Sequence, residues 1–422
     1  MYRRIAGIDV HKRMLMVAVG MATFQMDEAS GEAEPQETIQ FEMRRFGTTT
    51  ADIEHLAAWL QQRGVEEVVV ESTAQYWKPV WLGLEPHFRL HLAQAWSNRA
   101  PKGKKTDFKD AQRLVRRHLA GELTLSFIPE PSQRQMRTVT RRRVQLVRDR
   151  VRVQNQVESL LEEGRIKLSS IITDLLGASG RRILGELANG ETDPKRLAAL
   201  GDARLKCTPE QLAEAVNGSM SEVQQRILKQ HLAHVELLET QIQELDKLAA
   251  VTMREHESAI ARLIEIPGIG LVAAKQIIAE AGPTAQTFAT AAQFSAWIGL
   301  SPGRQESAGD NQSSRCPKGN MYLRRILCQA AQAAVRTKNC FFHQKFHRLL
   351  PRLGYQKALW AIARRLSVVI WIILHEGVRY EERGGATTPQ AAKRRRQRLI
   401  KELREAGYTL ELNRPDLEAV HG

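Results

Sequence analysis

The sequence predicts an α/β domain at the N-terminus, then a region of long helices with a coiled-coil seam, then a mainly α-helical C-terminal domain. Three observations carry this prediction. Short apolar and β-branched runs alternate with helical spacings through about residue 120. From Arg134 onward, key positions recur by threes and fours over many turns. Beyond Arg262 the helical patterns continue, broken once by a polar segment, Ser301 to Asn320, too rich in Gly, Ser and Asn to be the interior of an element. The boundaries that follow are 1–125, 126–255, 256–385 and a basic tail, 386–422.

In the first domain, Ile5 to Val10 and Met14 to Val19 flank a turn at His11 to Arg13 and read as a hairpin. Asp27 to Gln36 reads as a loop and Thr38 to Arg45 as a third strand. Ile53, Leu56, Ala57 and Leu60 give Thr48 to Gln62 a helical face. Val65 to Val70 suits a buried central strand, and a helix over Trp77 to Leu84 and a strand over Arg89 to Ala93 complete the layer.

In the second region, Met136, Val139, Arg143, Leu146, Arg150, Val153, Val157 and Leu160 form the seam. Val235, Leu238, Ile242 and Leu245 repeat it, so the two helices form an antiparallel hairpin or a dimer contact. The turn signals between them, Gly177 to Gly180, Asn189-Gly190 and Asn217-Gly218, predict a small helical tip.

Charge narrows the partner. The chain has 62 Lys and Arg against 47 Asp and Glu, a net +15, a sign that attracts polyphosphate. The longest apolar stretch, near Leu366 to Leu374, is too short to span a bilayer, and no leader pattern opens the chain, so a cytoplasmic, nucleoid-associated protein is expected. The four cysteines, Cys207, Cys316, Cys328 and Cys340, show no metal or disulfide spacing and are expected to be reduced.

Four carboxylates stand out. Asp9 and Glu71 each end an apolar strand, and Asp107 and Asp110 stand three apart at a helix start, on one face. In a sheet resembling the RNase H-like, RuvC-type fold, neighbouring strand ends converge, so carboxylates distant in sequence can share an ion. Hard oxygen donors without His or Cys suit Mg²⁺, with Mn²⁺ as an alternative. Taken singly, Asp9 could begin a turn, Glu71 could be a surface group and Asp107 a helix N-terminal charge. The joint placement favours the metal site.

Cations crowd that segment. Lys102, Lys104, Lys105, Lys109 and Arg113 surround Asp107 and Asp110, and the next helix carries Arg137, Arg141, Arg142 and Arg143. A charged run is ordinarily a solvated face, but Arg at seam positions is better suited to a helix lying along nucleic acid than to a dry seam. Ile266-Pro-Gly-Ile-Gly resembles the hairpin of a helix-hairpin-helix element, in which Gly268 and Gly270 would bring backbone N–H groups to a phosphate. The tail run Lys393 to Arg398 is expected to order on nucleic acid.

The motifs GIDVHK at Gly7 to Lys12, VVVESTAQYWKPVW at Val68 to Trp81, KGKKTDFKDA at Lys102 to Ala111, IKLSSIITDLLGASGRRIL at Ile166 to Leu184 and IPGIG at Ile266 to Gly270 occur in order. FSAWIGLSPGRQESAG and KGNMYLRRIL follow between Phe294 and Leu327, then KALWAIARRL at Lys357 to Leu366. Together they resemble the DEDD insertion-sequence transposases, recombinases guided by a bridge RNA, over about Ile5 to Gly384.

That resemblance implies that Asp9, Glu71, Asp107 and Asp110 hold the metal. It also implies that Ser307, in the S-x-G motif, is a covalent nucleophile, and that Lys318, Arg324 and Arg325 lie on the nucleic-acid surface of a serine-bearing domain. Target and donor DNA, a noncoding guide RNA and a homodimer or homotetramer with composite sites are implied as partners. From its surroundings alone Ser307 is a turn hydroxyl. Two other readings stay open on the sequence: a RuvC-like nuclease using metal-activated water alone, and a non-catalytic nucleic-acid scaffold, which retention of the four carboxylates disfavours.

Overall fold

The computed structural model describes residues 2–26, 33–35, 39–98, 107–302, 305–307, 310–313, 315–382 and 389–405. The chain forms two compact units, Met1–Pro129 and Glu130–Gly422.

The first unit is built on a mixed sheet of seven strands, β1 (Tyr2–Val10), β2 (Leu15–Met26), β3 (Ala33–Pro35), β4 (Gln40–Phe46), β5 (Glu67–Glu71), β6 (Arg89–Ala93) and β7 (Leu125–Ser126). β2 runs antiparallel to β1 and to β4, while β5 and β6 continue parallel on the other side of β1. This is a mixed α/β sheet of the kind expected for an RNase H-like domain. Part of the expected loop after Met26 is strand: Ala33 to Pro35 pairs with Phe24 to Met26, its short run needing only backbone bonds to extend the long β2.

Alternation along the strands sorts side chains to two faces. Ala6, Ile8, Val10, Val68, Val70 and Leu92 share a core with Leu56, Leu60, Val80 and Leu84 of α1 (Thr50–Gln62) and α2 (Trp77–Leu84). α1 begins at a capping box, in which Thr49 and Asp52 satisfy each other's backbone N–H. The opposite face, with Ile5, Val69 and Ala93, is covered by Leu114 and Val115 of α3 (Asp107–Leu119).

Among the described residues, the second unit is helical apart from one hairpin. Its spine is α4 (Pro131–Glu163), joined through the short helices α5 (Leu168–Ile171), α6 (Ala178–Ala188), α7 (Pro194–Ala199) and α8 (Pro209–Ala215) to α9 (Glu222–Thr252). Arg143 bonds Asp246 and Arg150 bonds Glu239, so α4 and α9 run antiparallel within one chain. Met136, Val139, Leu146, Val153, Val157 and Leu160 are buried, as are Val235 and Leu238. Gly177 closes a turn, its N–H donating to the Asp174 carbonyl, and caps α6, while Gly180 lies in the first turn of that helix. A Cβ on Gly180 would lie 2.0 Å from the Leu175 carbonyl oxygen, so this glycine permits a close approach.

The rest of the unit comprises α10 (Glu257–Ile264), α11 (Leu271–Ala281), α12 (Ala291–Ile298), the hairpin of β8 (Gln305–Ser307) and β9 (Asp310–Ser313), α13 (Met321–Arg336), α14 (Phe341–Glu376) and α15 (Pro389–Glu405). Within the polar loop expected from Ser301 to Asn320, Gln305–Ser307 and Asp310–Ser313 pair as this hairpin, because a two-stranded ladder is made by the backbone and needs no apolar face.

α14 is long and apolar enough, by composition, to cross a membrane, contrary to the expectation from its local apolar run. Its Ala358, Ile362, Ala363, Leu366 and Ile370 are nevertheless buried in the protein core. Gly354, at φ 71°, breaks the helix three residues after Pro351. The basic tail run lies in α15, whose Leu399 and Leu403 pack on the same core.

Candidate metal centre and nucleic-acid surface

The parallel register pairs Ile8 with Val70, so Asp9 and Glu71 occupy the next positions on adjacent strands. Asp9 falls on the α3 face because it is two and four residues from Gly7 and Ile5. Gly7 explains how closely α3 approaches: a Cβ there would sit 2.3 Å from the Ala111 carbonyl oxygen. That contact fixes α3 with Asp110, the residue before Ala111, over the end of β1. Asp107 is the first residue of α3, one turn earlier.

Asp9 is 7% exposed and Asp110 is 5% exposed. Carboxylates this deep require charged or hydrogen-bonding partners. The Nε2 of His11 lies 3.2 Å from Asp9. Asn98, in the turn after β6, donates to Glu71 at 2.7 Å. Arg113 donates to the Asn98 carbonyl at 3.1 Å and lies 2.7 Å from Asp110. Glu71, Asn98, Arg113 and Asp110 thus form one connected network, and Arg117 adds a bond to the Ser97 carbonyl. Asp9 and Asp110 are buried and Glu71 is half-buried, so carboxylates from two strands and a helix lie at one end of the sheet.

Arg113 was expected to meet phosphate but is engaged with Asp110 inside the unit. Lys109 is exposed, and Lys102, Lys104 and Lys105 lie outside the described residues.

The long basic helix also departs from expectation. Arg141 donates through two nitrogens to Glu280, at 2.7 and 2.8 Å, and Arg137 lies 3.5 Å from the same fully buried carboxylate. Arg143 is held by Asp246 at 2.6 Å. The seam arginines Arg143 and Arg150 are therefore satisfied by Asp246 and Glu239 of α9, and Arg137 and Arg141 by Glu280 of α11, pairings the local sequence could not display. Arg142 is exposed.

Gly268 has φ +87°, and a Cβ on it would meet the Ala330 carbonyl oxygen at 2.3 Å, so its role is close packing on α13. Gly270 precedes α11, with open space where a Cβ would stand.

Ser307 ends β8 opposite Asp310 of β9. After the hairpin, Lys318 is exposed, and Asn320 caps α13 by accepting from the N–H groups of Tyr322 and Leu323. Arg324 lies 4.7 Å over the Trp360 ring and donates to the Pro317 and Lys318 carbonyls. Lys318, Gly319, Arg324, Arg325, Cys328 and Trp360 line a recess of about 600 Å³. Burial raises the pKa of the Cys328 thiol, keeping it protonated.

Glu67, His91 and His118 form a group that sequence reading missed. Their ligand atoms lie within 4.8 Å of one another. Burial, and then the nearby His118, lower the pKa of His91. The signal was the alternation of β5, which puts Glu67, Val69 and Glu71 on one face, but His118 is distant in sequence.

Residues 6–165 match the DEDD transposase domain of IS110 elements, and residues 260–347 match the transposase IS116/IS110/IS902 family. The chain is 28% identical over 310 residues to a probable family 20 transposase of Pseudomonas aeruginosa, covering 72% of this chain and 81% of that protein. It is 33% identical over 118 residues to the transposase for insertion sequence element IS1111A of Coxiella burnetii, covering 27% and 32%. Over 281 residues it is 24% identical to the transposase for insertion sequence element IS1328 of Yersinia enterocolitica, covering 65% and 73%.

Proposed function

This chain belongs to the IS116/IS110/IS902 family of transposases, and from that premise we propose that it cuts and rejoins target and donor DNA under the guidance of a noncoding bridge RNA. Asp9, Glu71, Asp107 and Asp110 hold Mg²⁺, and Ser307 takes a DNA strand covalently. The observation that carries this reading is the side-by-side placement of Asp9 and Glu71 at the ends of parallel strands, with Asp110 laid over them by α3.

When bound there, the metal supplies Lewis-acid stabilisation of charge on the oxygens around phosphorus. The chain's own residues hold the site in shape: Asn98 and Arg113 tie Glu71 to Asp110, and His11 braces Asp9. In the covalent step, the Oγ–P bond to Ser307 forms as a P–O bond of the strand breaks. The serine proton passes to a base, and the departing strand oxygen takes up a proton. The reverse step, with the end of another strand attacking phosphorus, restores the serine.

Lys318, Arg324 and Arg325 around the Trp360 recess supply a cationic, aromatic surface of the kind that holds nucleic acid. The protein works as a homo-oligomer in the bacterial cytoplasm. Purification from cells carrying the flanking element, followed by sequencing of the co-purified RNA, tests the guide. A discrete noncoding RNA is expected, and a random cellular pool would leave a nuclease acting with metal-activated water as the better account.

A further inference from the structure

The face of the sheet under α3 has two polar ends separated by an apolar middle. Asp9 and Glu71 lie at the end where β1 and β5 finish, and Ile5, Val69, Leu114 and Val115 fill the centre. Glu67 lies at the other end. It is four residues before Glu71, about 13 Å along the strand, and only 5% exposed. α3 spans the same interval, since Asp110 and His118 are eight residues apart, about 12 Å of helix.

What surrounds Glu67 is chemically unlike the carboxylate set. One of its oxygens, Oε2, faces Nε2 of His118 at 2.9 Å and Nε2 of His91 at 3.2 Å. Its other oxygen, Oε1, lies 3.6 Å from Arg89. The two imidazole rings are 4.5 Å apart, centroid to centroid. His91 comes from β6 and His118 from the last turn of α3, so three separate elements converge on one point. Both histidine side chains are largely buried, at 22% and 13% exposed.

A tetrahedral ion with bonds of about 2.0–2.1 Å holds its donors about 3.3 Å apart. The nitrogen-to-oxygen separations here, 2.9 and 3.2 Å, are close to that edge length. Two nitrogens and one carboxylate oxygen are a donor set that zinc accepts, whereas Mg²⁺ favours oxygen alone.

We propose that Glu67, His91 and His118 form a second metal site, selective for Zn²⁺, that clamps the C-terminal end of α3 to β5 and β6. The clamp acts on the helix whose other end carries Asp110, so it fixes α3 over the sheet without taking part in the chemistry on DNA. It is independent of the guide RNA and of Ser307.

The full chain, freed of metal with a chelator, is titrated with Zn²⁺ and with Co²⁺, alongside the Asp9→Asn/Asp110→Asn double variant, which disables the carboxylate site. The expected result is stoichiometric zinc in both proteins, visible absorption bands of four- or five-coordinate Co²⁺ with nitrogen and oxygen ligands, and a zinc-dependent rise in melting temperature. His118→Gln and His91→Gln, which retain a side-chain hydrogen-bond donor toward Glu67, should lose the zinc, the bands and the thermal shift while keeping wild-type circular dichroism. No cobalt bands in the wild-type chain, thiolate-to-cobalt charge-transfer bands, or zinc uptake undiminished in His118→Gln would each overturn the proposal and leave the triad a hydrogen-bonded brace. The wild-type spectrum decides the question even if a variant fails to fold.

Discussion

Glu280 is fully buried and receives Arg141 through two parallel nitrogens, at 2.7 and 2.8 Å. The same carboxylate accepts from Asn320 at 2.8 Å, so one buried acid ties the long helix α4 to the cap of α13. Removing one partner of a buried pair leaves the other desolvated and uncompensated, which costs more than the pair itself contributes. The guanidinium of Arg141 is partly exposed and Arg137 remains nearby, both of which soften the loss. Arg141→Ala is expected to destabilise the chain by about 2–3 kcal/mol, read from the urea midpoint. Wild-type stability in that variant would show that the pair has no structural weight.

Arg142 supplies the contrast, since it stands between two structurally committed arginines yet is exposed. Arg142→Ala should leave stability within about 0.5 kcal/mol of wild type. If Arg142 contacts phosphate, its loss makes the plot of log affinity against log salt shallower by about 0.7–0.9. Arg143→Ala, which frees Asp246, should instead lower stability and leave the salt slope unchanged. Binding isotherms at several salt concentrations, set beside melting curves, separate the two roles. An unchanged slope for Arg142→Ala would make it a solvated surface residue.

The sheet was legible in the sequence because its signals are local. Val68 to Val70 and Ile5 to Val10 are apolar runs bounded by turns, and the carboxylates at their ends stand out against them. The side chains chosen by distant partners were not legible. Arg137, Arg141 and Arg143 read as a phosphate-binding stripe until Glu280 and Asp246, more than a hundred residues away, are seen to hold them. Gly268 is a similar case. A glycine before a helix reads as an opening for phosphate, but the need for it comes from the α13 backbone packed against it. Glu67 was hidden because only its neighbours across the sheet and on α3 distinguish it from a surface carboxylate.

Gly7 offers a test of how the metal site is assembled. A methyl group there would meet the Ala111 carbonyl at 2.3 Å, and backbone cannot step aside as a flexible side chain can. Gly7→Ala should therefore lift α3 and move Asp110 away from Asp9. The expected cost is about 1–3 kcal/mol in stability, with a fall in DNA strand exchange larger than the fraction unfolded explains. Wild-type strand exchange in a folded Gly7→Ala protein would mean that α3 need not sit so close.

The carboxylates themselves predict a separation of binding from chemistry. Asp9→Asn, Glu71→Gln, Asp107→Asn and Asp110→Asn each remove a hard anionic ligand while keeping nearly the same shape. Losing several kcal/mol of transition-state stabilisation corresponds to about a thousandfold loss in rate or more. Nucleic-acid affinity should stay near wild type or rise slightly, since a negative charge has been removed. Strand-exchange assays across a Mg²⁺ titration, beside filter binding, check both halves. Any one of these variants recombining at the wild-type rate would exclude that residue from the site.

Ser307 carries the most specific prediction. It ends β8 opposite Asp310, and Glu306 precedes it, but the segment 301–320 contains no histidine to act as a general base. An unassisted serine hydroxyl is a poor nucleophile at neutral pH. Two sources of activation can therefore be told apart. If Asp310 takes the proton, Asp310→Asn abolishes attack and Asp9→Asn leaves it intact. If the carboxylate site activates the serine, Asp9→Asn abolishes attack and Asp310→Asn does not. A suicide DNA substrate, supplied with the RNA and Mg²⁺, should trap a protein–DNA adduct whose peptide map places the phosphoester on Ser307. Ser307→Ala should give no adduct, while Ser307→Cys should restore a weaker one because a thiolate forms more readily than an alkoxide. An adduct in Ser307→Ala, or recombination by it at the wild-type rate, would rule out the serine and leave metal-activated water as the attacking group.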